Sequence, residues 1–286
     1  WVNREGEPMP LIIQKADGGY NYATTDLACI IDRVERIGCN DLLYVVGTPQ
    51  TQHFKMVFEV ASKAGLMDNS HNATHINFGS VLDSDGKILK SREGEAIKLV
   101  DLLNESVVRA EQAIADRNPS IDPKQRGEIA KAIGIGAVKY ADLSTERTKD
   151  YVFDWDRMLS FDGNTSPYLQ YAHARICSIF RRSLIARPLP DGTAITLLHP
   201  EEILLARRLV NFSAMVDESL HTYSPHRLCT YLHSVASAFA SFYENCPVLS
   251  SEDDLVRLSR LALCDLTART LSTGLGLLGI DSPEQM

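Results

Sequence analysis

The stretch TDLACIIDRVERIGCNDLLYVVGTPQTQHFKMVFEVASKAGLMDNSHNATHINF, residues 25–78, decides the fold. It opens on a helix-like segment (25–38), continues into a strand-like one, DLLYVVG (41–47), then a helical stretch from Thr51 to Ala64, and then a second strand that begins HINFGSVL (75–82). Just upstream, PLIIQK (10–15) reads as a further strand. Neighbouring parallel strands need a long crossover, usually a helix, so this alternation predicts crossover units on a parallel sheet. In the first helix Leu27, Ile30, Ile31, Val34 and Ile37 fall on one stripe, with Thr24 or Thr25 placed to cap it and Gly38 to end it.

Downstream, a glycine- and charge-rich loop, DSDGKILKSREGE (83–95), follows the last strand, and from Leu99 onward nearly everything reads helical. Asp122 to Ser144 is rich in alanine, isoleucine and glycine, and YVFDWD (151–156) is a short extended piece. FDGNTSP (161–167) breaks the pattern, Ser166 and Pro167 suit an N-cap and first turn, and three or four long helices are expected from there to Leu278. RPLPDGT, TYSPH and CPVLSSEDD read as the breaks between them. The fold class is therefore α/β followed by all-α.

Composition narrows the class. With 44% hydrophobic and 23% charged residues, 286 residues can bury substantial cores and suggest two domains or three. No uninterrupted apolar run is long enough to cross a bilayer, and the opening WVNREGEPMP lacks the basic flank and apolar stretch of a signal peptide, so a cytoplasmic location is expected. The six cysteines are scattered without CxxC pairs, which gives no support to a zinc site or a disulfide framework; reduced, mostly buried thiols are expected. A net charge of −8 argues against polyanion binding over the whole surface and leaves room only for a local basic groove. GxSxG, GxxxxGK and HExxH do not occur, which removes the common hydrolase, P-loop and zincin readings.

Four constellations can carry chemistry. YATTD (22–26) falls where a strand's carboxyl end meets a helix, the place where open parallel sheets bind ligands, and Tyr22 and Asp26 can point toward one crevice. A carboxylate there suits a bidentate guanidinium; equally, Asp26 in a first turn would simply favour the helix dipole. TPQTQHF (48–54) occupies the same position after the next strand, so Gln50 and His53 line the crevice or belong to an ordinary polar loop. Lys87, Lys90, Ser91 and Arg92 cluster between Gly86 and Gly94, as in a mobile cationic clamp on phosphates or a solvated hairpin tip. In the helical half, Tyr168, Tyr171, Arg175 and Arg182 share a narrow arc beside the apolar stripe Leu169, Ala172, Ile176 and Ile179. Aromatics interleaved with arginine match unstacked RNA bases, and a half-buried core edge would use the same residues. The histidines His173, His221, His226 and His233 show no ligand spacing and read as structural.

Taken in order, YATTDLA, QTQHF, HINFGSVL, DGKILKSREG, GIGAVKYADLS, YVFDWDRMLSFDGNTSPYLQYAHARI, FYENCPVL and the terminal LGIDSPEQM resemble arginyl-tRNA synthetase of the bacterial type, over essentially the whole chain. The resemblance implies a class I enzyme with a partial Rossmann-like catalytic domain at 1–96, a helical stem-contact linker at 97–160 and a helical anticodon-binding bundle at 161–286. It also implies an ATP-dependent ligase that uses Mg²⁺ with ATP and no zinc, acts as a monomer, joins arginine to tRNA(Arg), and requires bound tRNA for activation. Tyr22, Asp26 and Gln50 resemble the residues that hold arginine. His53, Phe78, Gly79 and Val81 resemble the ATP side, with the edge near Phe78 lying against adenine. Lys87, Lys90, Ser91 and Arg92 stand at the KMSKS loop. Tyr168, Tyr171, Arg175, Tyr243 and Met286 stand on the tRNA side.

Two departures qualify the match. The loop reads KILKSR, not KMSKS, which leaves phosphate contact to other cations. A HIGH-type motif does not occur, and the chain is expected to begin in mid-domain and to be inactive alone. Rival readings are a non-catalytic tRNA-binding module and a class I relative for another amino acid.

Overall fold

The computed structural model describes residues 9–89, 98–117 and 121–286. Its elements are α1 (Tyr22–Ile31), β1 (Asp41–Gly47), α2 (Thr51–Lys63), β2 (Asn72–Phe78), β3 (Val81–Leu82), α3 (Leu99–Arg117), α4 (Pro123–Ser144), β4 (Tyr151–Val152), α5 (Trp155–Met158), α6 (Ser166–Ser183), α7 (Pro200–Leu209), α8 (Phe212–His221), α9 (Pro225–Asn245) and α10 (Asp254–Leu277). The chain forms two compact units. The described residues up to Ser80, with Thr148–Asp150, make the first; Val81–Arg147 and Tyr151–Met286 make the second.

In the first unit β1 and β2 pair in parallel, from Asp41 opposite Asn72 to Gly47 opposite Phe78, so both carboxyl ends finish level. Period-two alternation sends Leu42 and Tyr44 into the core while Leu43 and Val45 stand on the outer face. Leu27 and Ile30 of α1 and Phe54, Val57 and Ala61 of α2 close the buried side, and Tyr44, Phe54 and Phe58 pack ring on ring at 5.0–5.7 Å.

Three local expectations need correction here. PLIIQK is not a strand among the described residues: one bridge joins Gln14 to Tyr20, and the carbonyls of Ile12 and Ile13 accept from the side chains of Asn21 and Thr24. Side chains thus satisfy backbone groups that a sheet neighbour would otherwise take. The cap of α1 is Asn21, whose carboxamide oxygen accepts from the backbone of Ala23 and Thr24, so Tyr22 is already helical. After Ile31 the helix widens to a π-turn over Asp32–Ile37, which shifts the phase of the stripe and leaves Ile37 54% exposed. Gly38 ends it in the left-handed conformation, as its sequence position predicts.

In the second unit β3 pairs in parallel with β4, and α3 crosses α4 closely at Gly134, where a Cβ would lie 2.6 Å from the Ser106 backbone. Asp122 caps α4, and α6 is capped one residue earlier than expected, by the Thr165 hydroxyl facing Tyr168 N–H, so that Ser166 and Pro167 lie inside the helix. Five helices, α6 to α10, stand where three or four were expected, because a further break at Val210–Asn211 separates α7 from α8. Their core is built on Leu169, Ile176, Leu232, Phe239, Leu261 and Leu271, all fully buried. Cys177, Cys229, Cys246 and Cys264 are buried thiols, Cys39 is half-buried and Cys29 exposed, all unbridged; burial pushes the Cys229 thiol up to about 12. Among the described residues no helix is long and apolar enough to cross a membrane.

Candidate functional site

The first unit places two of the expected residues in direct contact. Asp26, one turn after Tyr22 on α1, receives His53 Nε2 at 2.6 Å from the first turn of α2, and both side chains remain partly accessible to water. His53 in turn lies edge-on to Phe54, with ring centroids 5.2 Å apart and planes at 76°. Tyr22 is 85% exposed, and Gln50 is exposed in the 3₁₀ turn Thr48–Gln50 that leaves the carboxyl end of β1. The neighbouring carboxyl end, at Phe78, is tied to that turn: the Thr48 hydroxyl donates to the Phe78 carbonyl at 2.9 Å. Gly79 follows, and only glycine fits, since a Cβ would lie 2.4 Å from the Lys149 carbonyl oxygen. Ser80 N–H donates to the Asp150 carboxylate at 2.5 Å.

Val81 and Lys87 belong to the second unit. Val81 opens β3 opposite Tyr151. Lys87 sits on the tight turn after β3, where its N–H and that of Asp85 donate to the Asp83 carboxylate, the Asp83 N–H donates to the Lys87 carbonyl, and Gly86 takes the left-handed conformation. It is an exposed hairpin tip. Lys90, Ser91 and Arg92 lie outside the described residues.

The helical bundle assembles the other candidate site. Tyr171, Arg175 and Arg182 of α6, Tyr243 of α9 and Met286 line one open groove of about 550 Å³. The Arg175 guanidinium lies over the Tyr243 ring, 4.4 Å from its centroid, which pre-orders a planar cation on an aromatic face. Tyr171 is 43% exposed and meets Phe161 edge-on at 6.5 Å. Tyr168, by contrast, is half-buried against the bundle core beside His233, at 5.5 Å between rings, and does not line the groove. Arg181 is a wall residue that the helical arc did not single out; its guanidinium donates to the Glu284 carbonyl at 3.1 Å, so it is held by the chain's last residues. The RR pair at 181–182 was the available signal, but the position of the tail beside α6 is not written in any periodicity. Three arginines on one groove give a local basic surface to a chain of net charge −8.

The remaining titratable groups are structural. His173 is buried and donates from Nδ1 to the Pro283 carbonyl at 3.1 Å. Burial raises the Tyr140 phenol, which bonds to Asn164 and to the Cys229 carbonyl, and likewise the Tyr151 phenol. Among the described residues no group of three or more His, Cys, Asp or Glu side chains could hold a metal ion.

Parallel strands thus carry candidate residues at their carboxyl ends, and the helical bundle carries an arginine- and tyrosine-lined groove. Residues 1–155 match the family described as tRNA synthetases class I (R), catalytic domain, and residues 169–286 match the DALR anticodon binding domain. The chain belongs to the class I (R) tRNA synthetase family. It is 51% identical over 286 residues to an arginine–tRNA ligase of Thermobifida fusca, covering 100% of this chain and 49% of that protein. Against the arginine–tRNA ligase of Proteus mirabilis it is 48% identical over 290 residues, covering 100% of this chain and 50% of the relative. The crystal structure of the Plasmodium falciparum arginyl-tRNA synthetase superposes with a TM-score of 0.83 at 31% identity, covering 99% of this chain and 48% of that one. The Thermus thermophilus enzyme gives 0.81 at 26%, covering 96% and 51%. The chain spans about half the length of the curated relatives it matches.

Proposed function

We propose that this chain contributes arginine recognition and anticodon binding to an ATP-dependent arginine–tRNA ligase working in the cytoplasm. The observation that carries the reading is the bundle groove, where Tyr171, Arg175, Arg182, Tyr243 and Met286 come together from three separate parts of the sequence. Unstacked bases need an aromatic face and a planar cation beside it: Arg175, seated on Tyr243, presents the planar cation, and the exposed Tyr171 presents an open ring. In the first unit, Asp26 and Tyr22 receive the substrate guanidinium and Gln50 closes the pocket. The adenine side is assigned to the segment that carries Phe78, Gly79 and Val81. The phosphates of ATP, which brings Mg²⁺ with it, are assigned to the cations of the Lys87–Arg92 segment.

The chemistry has two steps. The arginine carboxylate attacks the α-phosphate of ATP and pyrophosphate leaves; a hydroxyl of the terminal ribose of tRNA then takes the arginyl group from the adenylate. Functional boundaries near residues 96 and 160 divide catalytic, stem-contact and anticodon roles.

The groove is tested by fluorescence anisotropy of the chain with tRNA(Arg). Tyr243→Ala is expected to weaken binding about tenfold, the usual loss for a stacking aromatic, and Arg175→Ala to lower the salt dependence by about one counterion. Unchanged affinity in folded variants, or equal binding of an unrelated tRNA, would overturn the reading.

A further inference from the structure

We propose that His53 is a positioning residue for amino-acid recognition: its imidazole fixes the Asp26 carboxylate in the orientation that receives the substrate guanidinium. The inference rests on the arginine-pocket reading above and gives His53 a part in amino-acid selection, on the opposite side of the reaction from the nucleotide.

A carboxylate on the first turns of a helix turns about two side-chain bonds, and a guanidinium fork is recognised only when both oxygens lie in its plane. Here one of those oxygens is fixed. His53 Nε2 lies 2.6 Å from Asp26 Oδ2, across two helices and 27 positions of sequence. The imidazole is itself held: its ring meets Phe54 edge-on, and Phe54 is 5% exposed, packed on Tyr44 at 5.1 Å and His75 at 5.1 Å. A rigid line therefore runs from the core through Phe54 and His53 to Asp26. With Nε2–H donating, Oδ1 and one lone pair of Oδ2 stay available, enough for two parallel N–H bonds. Tyr22, four residues before Asp26 on the same face of α1, borders the same position. A nucleotide contact through His53 would have only Nδ1 left to work with.

Steady-state arginylation of tRNA by the full-length protein in which this chain occurs separates the possibilities. His53→Ala is expected to raise KM for arginine about tenfold, the worth of a hydrogen bond to a charged group, with KM for ATP and the thermal midpoint unchanged. Discrimination against lysine should narrow, because a point-like ammonium does not need the fork. His53→Gln, which keeps an N–H near Nε2, should recover most of the arginine KM. An ATP KM that rises while the arginine KM stays level would overturn the proposal, and so would a His53→Gln variant as impaired as His53→Ala. Asp26→Asn is the control on the reading beneath it. An unchanged arginine KM in Asp26→Asn overturns the pocket itself, whereas a raised KM there with none in His53→Ala overturns only the role of His53.

Discussion

His173 shows how a single buried side chain sets a pH response. Burial is the main cause that holds its pKa below the ordinary histidine value, with Arg187 adding to the effect, while the Pro283 carbonyl and Glu284 pull the other way. His233, beside Tyr168, is lowered by burial too. Both are therefore neutral in the folded bundle at neutral pH, and the unfolded chain binds more protons as pH falls through about 6.5. Their contribution to stability is complete above that value and declines below it. Urea midpoints should fall between about pH 7.5 and 5.5, and His173→Gln should flatten that slope; an equal slope in the variant would count against the assignment. The spacing of the histidines gave no support to ligand roles and pointed to structural ones. What it could not supply was the acceptor, because Pro283 is 110 residues away and nothing local points to it.

At the scale of elements, the first turn of α7 depends on one carboxylate. Glu202 is 1% exposed; Oε1 accepts from Arg260 Nε at 2.7 Å, and Oε2 accepts from the N–H groups of Leu198 and His199 at 2.7 and 2.9 Å. Burial pushes its pKa up, but the Arg260 bond and the two backbone donors outweigh it and hold the carboxyl below the usual range. Glu202→Ala leaves the half-buried Arg260 guanidinium with only the Pro247 carbonyl and strands two helix-start donors, and should cost about 3 kcal/mol of stability in denaturant titrations. Glu202→Gln, which can still accept, should cost clearly less. Capping was legible only to within about a turn: Thr165 stands one residue before the expected Ser166, but Asn21 stands a full turn before Thr24 or Thr25. Asp122 opens the segment read from the sequence and caps it in the structure, whereas Asn21 and Thr165 took the place of residues further on because the geometry of the incoming chain, not residue type, chooses among nearby cap formers. PLIIQK misled for a related reason: a short apolar run suggests a strand, but strand pairing also needs a backbone partner, and the side chains of Asn21 and Thr24 supplied the partners here.

At the scale of the whole molecule, the order of strands, helices and bundle followed from hydrophobic rhythm, since period two and period 3.6 are local properties of sequence. Asp26 and His53 were each visible as polar residues after a strand, but their contact joins two elements and appears only in three dimensions. The basic groove was half legible. One helix arc offered Tyr171, Arg175 and Arg182, while Tyr243 and the tail residues join it through packing between distant segments. The tail is held firmly: the Gln170 carboxamide donates to both the Ala132 and Asp281 carbonyls, at 3.0 and 2.8 Å, and Gly136 leaves room for Ile280. The groove wall is thus partly made of the chain's final residues, with a practical result for anyone handling the protein. A purification tag joined after Met286 would emerge among Arg175, Arg182 and Tyr243 and compete with RNA for them. A polyglutamate tag joined after Met286 should therefore weaken tRNA binding more than a polyglycine tag of equal length at the same place, and equal affinities for the two fusions would show that the tail does not face the RNA.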